Sequence, residues 1–372
     1  IESELGKGSS FSIIFNKLKT IIYNILFHKT VIKVLYIFEI RSVFLSHYKS
    51  IKGKTVNRLN CITFILIMVL FGITVNTDKA YAKNSIYGRL DIALSSEDTS
   101  SGSYTDVKSH ASRVGFKGSQ IFDNGVAAIY QYEWQTDPID GDPTFKQRNS
   151  FVGLQGAFGK VFLGMHDTPT KIAQGNIDLF NDTAGDIKNI LWGENRSKKI
   201  IQWSSPKVKG FTLNVMGIVE KADEEAFSVS LDWKGKIGGN KSHFAVSFDS
   251  EVPQKGYFFD TTRFAATIPL GKPLTLGVIW QESEDTSGKY DDDGYVISLK
   301  MKMSKKITLK AMYGESDMVK AGGELTGIGF DYKIAKPLKV YLNYVDKSFN
   351  DPSKAAEHIM AGIQYKFSFD LF

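Results

Sequence analysis

Four carboxylates lie in one stretch of the chain whose pattern differs from that of its surroundings. From Asp167 to Asn195 the residues show no strand alternation, although strand-like patterns flank the stretch on both sides. After Asp167, with which it begins, its acidic side chains are Asp178, Asp182, Asp186 and Glu194. They alternate with isoleucine, leucine and phenylalanine, so one side of the segment can pack while the other stays in water. Such a group of carboxylates can impose a negative electrostatic field, and so long a connection in an all-β chain is usually functional.

Residues that could make or break bonds are sparse beyond residue 82. The histidines there are His110, His166, His243 and His358. No G-x-S-x-G nucleophile motif accompanies them, and a lone His–Asp pair such as His166–Asp167 is usually incidental. Nucleotide-binding and metal-binding motifs are also missing from this part of the sequence. We therefore expect no catalytic residue, no metal site and no cofactor, and an enzymatic barrel is the less favoured alternative.

The basic charge of the chain is concentrated near its N-terminus. The chain has 46 lysine and arginine residues and 40 aspartate and glutamate residues. Of these, 11 basic and 4 acidic residues lie in 1–82, which leaves residues 83–372 with a net charge of −1. The overall basic character therefore gives no reason to expect a nucleic-acid partner. The single cysteine, Cys61, also precedes residue 83, so we expect no disulfide after it.

A secretory signal peptide is predicted for residues 51–82. Basic residues in Lys52–Arg58 precede the apolar run Cys61–Val75, and Ala80–Ala82 supplies an A-x-A cleavage site. The apolar run is shorter than the roughly 18 residues that a spanning helix needs, although a membrane anchor is the alternative. We expect the mature chain to begin at Lys83.

Residues 1–50 carry no function that we can assign. The sequence begins with isoleucine, and Ile1–Phe15 resembles the last glycine box and strand of a sensor histidine kinase ATP-binding domain. A single box of this kind cannot hold a nucleotide without the rest of such a domain. We therefore expect residues 1–50 to be an upstream extension that is not part of the mature protein.

The remaining 290 residues alternate with a period of two, which indicates β-strands. Short connections such as Ala157–Gly159 alternate with longer polar ones, for which we predict Ser95–Lys108, Thr136–Thr144, Gln281–Lys289 and Lys347–Lys354. Aromatic residues cluster near strand ends, as they do at membrane interfaces. About sixteen candidate strands are present, an even number that can close a barrel without free edges.

Four motifs in order resemble the general porins of bacteria. They are Tyr87–Asp91, Ser112–Gly118, the hairpin Asn149–Gly164 and the strand pair that begins at Arg196. The alternating residues of Ile359–Phe369 also resemble the aromatic last strand of outer-membrane barrels. Phe367 matches the terminal phenylalanine of such strands, so we expect Ser368–Phe372 to be an extension. The resemblance implies an all-β fold, a 16-stranded antiparallel transmembrane β-barrel with an infolded constriction loop, in the Gram-negative outer membrane.

The resemblance also implies a function, a site and partners. The function is a water-filled channel for passive diffusion of ions and small hydrophilic solutes, with a structural or adhesive barrel as the main alternative. Asp178, Asp182, Asp186 and Glu194 would form the acidic side of the constriction. Arg89, Arg113, Lys117 and Arg196 would form a basic wall opposite them. The implied partners are two further copies in a homotrimer, outer-membrane lipid and lipopolysaccharide, and the barrel assembly machinery.

Overall fold

The computed structural model describes residues 82–140, 145–219, 226–317 and 322–371, and within them 18 strand segments belong to one antiparallel sheet. The first nine are β1 (Ala82–Thr99), β2 (Gly102–Ser109), β3 (Arg113–Ile121), β4 (Ala127–Gln135), β5 (Lys146–Gln147), β6 (Ser150–Gly156), β7 (Gly159–Asp167), β8 (Arg196–Ser204) and β9 (Phe211–Ile218). The other nine are β10 (Ala226–Ile237), β11 (Asn240–Gln254), β12 (Tyr257–Pro269), β13 (Leu274–Asp285), β14 (Asp291–Lys302), β15 (Ile307–Ser316), β16 (Gly323–Lys333), β17 (Leu338–Phe349) and β18 (Ala356–Leu371).

The 18 segments form 16 barrel strands. β2 and β3 both pair with β1, along residues 92–99 and 82–89 respectively, so they are two halves of one strand. β5 and β6 are likewise two halves of the strand that pairs with β4. β1 and β18 pair from Asn84↔Leu371 to Thr99↔Ala356, which closes the sheet. The predicted closed 16-stranded antiparallel barrel is confirmed.

The strands run further than the sequence predicted. Ser95–Lys108 was expected to be a connection, but β1 and β2 continue through it and leave a turn at residues 100–101. β13 and β17 likewise extend into the predicted connections Gln281–Lys289 and Lys347–Lys354. Both faces of a strand become polar where it rises beyond the apolar membrane band, so polarity there did not mark a loop. Ser368–Leu371 continues β18 and pairs with β1, so it is no separate extension.

The two faces of the wall differ in polarity. Large apolar side chains such as Leu94, Ile359 and Ile363 are exposed on the outward face. Inward-facing residues include polar side chains such as Gln281 and Ser283, which are buried inside the barrel. An outward apolar face with a polar interior is the pattern of a transmembrane barrel. Among the residues that the structure describes, no helix is long and apolar enough to cross a membrane.

The inserted loop, residues 168–195, joins β7 to β8 and has little regular structure. It contains helix α1 (Pro169–Ala173), which Thr168 caps by accepting a hydrogen bond from the Lys171 amide, and a 3-10 turn (Ile187–Asn189). Proline at the first helical position suits the start of α1 because that position needs no amide donor. A second 3-10 turn, Pro352–Lys354, lies before β18.

Apolar side chains fix the inserted loop against the inner wall. Ile177, Phe180, Ile187, Ile190 and Leu191 are at most 1% exposed and share one apolar cluster with inward residues of β13–β18. The wall accommodates them at inward-facing glycines, which are Gly277, Gly294, Gly314 and Gly327. A Cβ atom at Gly327 would lie 2.6 Å from the Phe180 ring. The loop therefore passes through the barrel interior in contact with one side of the wall.

The predictions for residues 1–50 and for the signal peptide, apart from Ala82, lie outside the described residues, and they stay predictions.

Candidate functional site

The tip of the inserted loop is bound to the wall by Asp182. Asp182 Oδ2 accepts hydrogen bonds from Arg89 Nη2 at 2.8 Å and from Arg113 Nη2 at 2.6 Å. Arg148 Nη2 lies 4.0 Å from the other carboxylate oxygen. Arg89 and Arg113 are directly opposite one another on β1 and β3, so their side chains share one face. The register of the sheet therefore places the two guanidinium groups on one acceptor.

The charge of Asp182 is held by these arginines. Burial alone would raise the pKa of its carboxyl group, but the positive charges of Arg113, Arg89 and Arg148 outweigh burial and lower the pKa to about 2. Asp182 also adopts a left-handed backbone conformation, φ 67°, which aspartate tolerates better than most residues. Its amide donates to Asp186 Oδ2 at 2.9 Å. The tip thus presents an ionised carboxylate from a defined turn.

Asp178 and Asp186 are engaged mainly with the loop itself. Asp178 accepts hydrogen bonds from the amides of Phe180, at 2.9 Å, and Ile187, at 3.3 Å. Asp186 caps the 3-10 turn by accepting from the Lys188 amide at 2.9 Å, and it is 3% exposed. Burial and the neighbouring Asp186 charge raise the pKa of Asp178 well above its ordinary value. These two carboxylates therefore shape the tip, whereas Asp182 faces the arginines.

Glu194 belongs to a buried ion pair at the base of the loop. Its Oε1 lies 2.6 Å from Nη1 of Arg263, a residue of β12 that is 0% exposed. The same guanidinium group donates to the carbonyls of Thr170 at 3.1 Å and Trp192 at 2.9 Å. Burial raises the pKa of Glu194, and Arg263 opposes this rise. Arg263 thus fastens both ends of the inserted loop to the wall.

The other two predicted basic residues lie in different surroundings. Arg196 Nη2 is 3.0 Å from Asp167 Oδ1, and Lys171 Nζ lies 3.3 Å from the same oxygen. Lys117 is on the same face as Arg113, four residues further along β3, where its Nζ lies 4.9 Å from the centre of the Tyr87 ring. Arg89 and Arg113 are therefore brought together with Asp182, while Arg196 and Lys117 are not part of that contact.

Sequence reasoning missed two residues of this arrangement, Arg148 and Arg263. Arg148 donates to Glu133 Oε1 at 2.7 Å and completes the set of guanidinium groups around Asp182. Arg263 was not singled out either. The sequence offered only their positions as a cue, because Arg148 directly precedes the recognised hairpin and Arg263 is the one basic residue of an alternating strand pattern. Within the described ranges, no group of three or more histidine, cysteine or acidic side chains is arranged to hold a metal ion.

Comparisons with known proteins agree with this architecture. Residues 77–352 match a family model described as Gram-negative porin. The chain belongs to the Gram-negative porin family. It is an outer-membrane β-barrel, and family membership also decides against the enzymatic barrel.

Individual relatives are distant. The major outer membrane protein P.IB of Neisseria sicca is 30% identical over 112 residues, which cover 29% of this chain and 31% of that protein. The chain thus spans about a third of the length of that relative. An anion-selective porin from Comamonas acidovorans has a similar structure, with a TM-score of 0.67, 17% identity and coverage of 77% of this chain and 100% of that chain. OmpT of Vibrio cholerae in its trimer form has a TM-score of 0.57, 16% identity, and coverage of 78% and 100%.

Proposed function

We propose that the chain forms a water-filled outer-membrane channel for passive diffusion of ions and small hydrophilic solutes. A closed barrel of 16 strands is wide enough to leave an aqueous lumen. The observation that carries the proposal is a segment anchored on opposite sides of that lumen, at Arg263 of β12 and at Arg89 of β1. Such a segment narrows a passage without closing it, and it places charges along the narrow part.

The charges around the inserted loop support a selective constriction. We propose that Asp182 supplies its acidic side, while Asp178, Asp186 and Glu194 hold the loop that carries it. Arg89, Arg113, Lys117 and Arg196 supply its basic side. Within this set, the contacts of Asp182 favour it as the carboxylate that affects permeating ions most directly. Opposed charges in a narrow, weakly screened passage select ions by size and sign.

Conductance measurements test the channel function. Purified, folded protein added to a planar lipid bilayer in KCl should produce stepwise increases in current, because each inserted barrel adds a separate aqueous path. Liposome swelling in sugars of increasing size should then locate the size limit that the inserted loop sets. Folded protein that inserts without any current would exclude the channel and favour the structural or adhesive barrel.

We also propose that three copies associate. Apolar side chains of large size are exposed on the outward face of the adjoining strands β18, β1, β3, β4 and β6, namely Ile359, Ile363, Phe369, Leu90, Leu94, Phe116, Tyr132 and Val152. A contiguous apolar wall suits either lipid or another barrel. The trimer form of the structurally similar OmpT supports the second choice. Lipopolysaccharide and the barrel assembly machinery stay predicted partners.

The trimer makes a direct prediction for electrophoresis. Without heating, the protein in dodecyl sulfate should migrate as a species of about three chain masses, and boiling should convert it to one chain mass. Replacing Leu94 and Ile363 by Lys should abolish the large species while a folded, heat-modifiable monomer persists, because unpaired charges would be buried at the contact. The matched change of Leu231 and Leu342 to Lys, on β10 and β17, should leave the trimer intact. A large species that survives the first pair would contradict this interface.

A further inference from the structure

A patch of lysines lines the barrel interior on the side where the inserted loop is packed. It consists of inward-facing residues of five adjoining strands, namely Lys300 and Lys302 of β14, Lys310 of β15, Lys333 of β16, Lys339 of β17 and Lys366 of β18. Their orientation follows from strand alternation. Lysines of β14, β15 and β17 lie an even number of residues from Val296, Met312 and Val345, which are buried inward residues of the same three strands. With strands about 4.8 Å apart, the lysine patch spans roughly 20 Å of the wall.

The lysine patch extends from the inserted loop towards the end of the barrel with the short turns. Lys310 lies directly at the loop, with its Nζ 4.8 Å from the centre of the Phe180 ring and 3.4 Å from the Leu179 carbonyl oxygen. Lys302 and Lys333 are the last residues of their strands at the other end of the patch. Short turns mark the periplasmic end of outer-membrane barrels. The patch therefore faces the periplasmic half of the lumen. At its β18 end it adjoins the arginines around Asp182, because Lys366 is paired in register with Arg89.

Like charges oppose one another within the lysine patch. Lys300 is paired in register with Lys310, and Lys333 with Lys339. Directly opposed like charges destabilise a sheet. The sequence thus keeps mutually repelling lysines on the inward face of the wall, where neighbouring inward residues are serine, asparagine and glycine.

A single carboxylate compensates this charge. Asp331 lies 3.0 Å from Lys310 and 2.9 Å from Lys339. In the part of the chain that the structure describes, Lys300, Lys302, Lys333 and Lys366 take part in no ion pair. Six positive charges therefore face the lumen with one negative charge among them, and several ammonium groups are free to bind a solute.

We propose that the lysine patch is a binding site for small multivalent oxyanions, such as phosphate-bearing or polycarboxylate solutes, on the periplasmic side of the inserted loop. The inference rests on the proposed channel, because the anion reaches the patch through the lumen. Lysine binds phosphate and carboxylate oxygens as a mobile point charge with three donors. An anion with several charges contacts several lysines at once and relieves the repulsion between them. A monovalent ion such as chloride gains only one such contact and passes.

Block of the channel current tests the lysine patch. Pyrophosphate or citrate, added at constant ionic strength to single channels carrying KCl current, should interrupt the current at a defined half-blocking concentration. The variant with Lys300, Lys333 and Lys366 replaced by Gln removes half of the positive charge and leaves no carboxylate unpaired. Its half-blocking concentration should rise at least about tenfold, because charges a few ångströms apart interact appreciably even next to water.

A matched variant controls for charge at the same end of the barrel. Lys207, Lys305 and Lys336 are exposed residues of the short turns, and their replacement by Gln should leave the block unchanged. Block by both pyrophosphate and citrate would show that the lysine patch binds multivalent oxyanions in general. Block by only one of them would limit its ligands to phosphates or to carboxylates. Equal half-blocking concentrations in wild type and in the patch variant would overturn the inference. A wild-type channel that conducts and is blocked by neither anion would contradict the anion site but not the channel function. Folded wild-type protein without any conductance would contradict both.

Discussion

Replacing Asp182 by Asn will raise the permeability of the channel to anions about fivefold at low salt and lower its permeability to cations by a similar factor. The change removes the carboxylate that Arg89 and Arg113 share and leaves their charges facing the lumen. One unit charge a few ångströms from a permeating ion contributes about 1 kcal/mol even in bulk water, which corresponds to about a fivefold change in partitioning. The expected shift therefore has a defined sign and size.

The reversal potential in a KCl gradient measures this shift. The gradient should be set at low ionic strength, because at about 1 M salt the screening length falls to roughly 3 Å and the effect should fade. Asp123→Asn removes the same charge from an exposed short turn and serves as the control. A reversal potential that moves equally in both variants would show that Asp182 does not border the passage.

Acid should reproduce the effect of Asp182→Asn in the wild-type channel. The pKa of Asp182 is lowered to about 2, below the ordinary aspartate value of about 3.9. A lowered pKa means that the ionised form is favoured in the folded barrel, so its contribution is complete above the ordinary value and disappears as the pH falls through about 2. The difference between wild type and variant should therefore persist at pH 4, fall to about half near pH 2 and vanish only below it. A difference already lost at pH 5 would contradict the arginine contacts.

The sequence treats the three loop aspartates as equivalent, and the structure separates them. Asp178 and Asp186 accept hydrogen bonds from loop amides, so their replacement by Asn should loosen the tip more than it changes the field. Removing a capping side chain costs about 1 kcal/mol. A triple change of all three residues would combine both effects, and only the single change of Asp182 isolates the electrostatic one.

The barrel was predictable because closure depends on a pattern that every strand repeats. Alternation over 290 residues and an even number of strands give the sheet, and they do so without any distant contact being known. The ends of the strands were harder to predict, since Ser95 and Glu97 lie on a strand that has left the apolar band. Polar residues there mark the point at which the strand leaves the membrane, and not the point at which its hydrogen bonds to neighbouring strands end.

The course of the inserted loop was only partly visible in the sequence. Its apolar residues predicted a packed side, but their partners are glycines more than 80 residues away, such as Gly277 for Ile177 and Gly327 for Phe180. Pairing of this kind depends on where the closed wall brings distant strands. The same reason hid Arg148 and Arg263, whose roles follow from facing the loop and not from any local motif.

Replacing Arg263 by Met will detach the base of the inserted loop and widen the channel. Arg263 and Glu194 are almost fully buried, and the guanidinium group also binds the carbonyls of Thr170 and Trp192. Removing one member of a buried ion pair typically costs 3–5 kcal/mol, because the other charge is left without a partner. The barrel strands keep their own hydrogen bonds, so the loss should fall on the loop.

Single-channel recording should reveal the detached loop in Arg263→Met as a larger and noisier conductance than that of wild type. Adding Glu194→Gln to this variant removes the stranded carboxylate and should restore part of the wild-type behaviour, whereas Glu194→Gln alone should have an intermediate effect. Heat-modifiable migration in dodecyl sulfate confirms that each variant is folded. Wild-type conductance and noise in folded Arg263→Met would show that the apolar contacts at Phe180, Ile190 and Leu191 hold the loop without the ion pair.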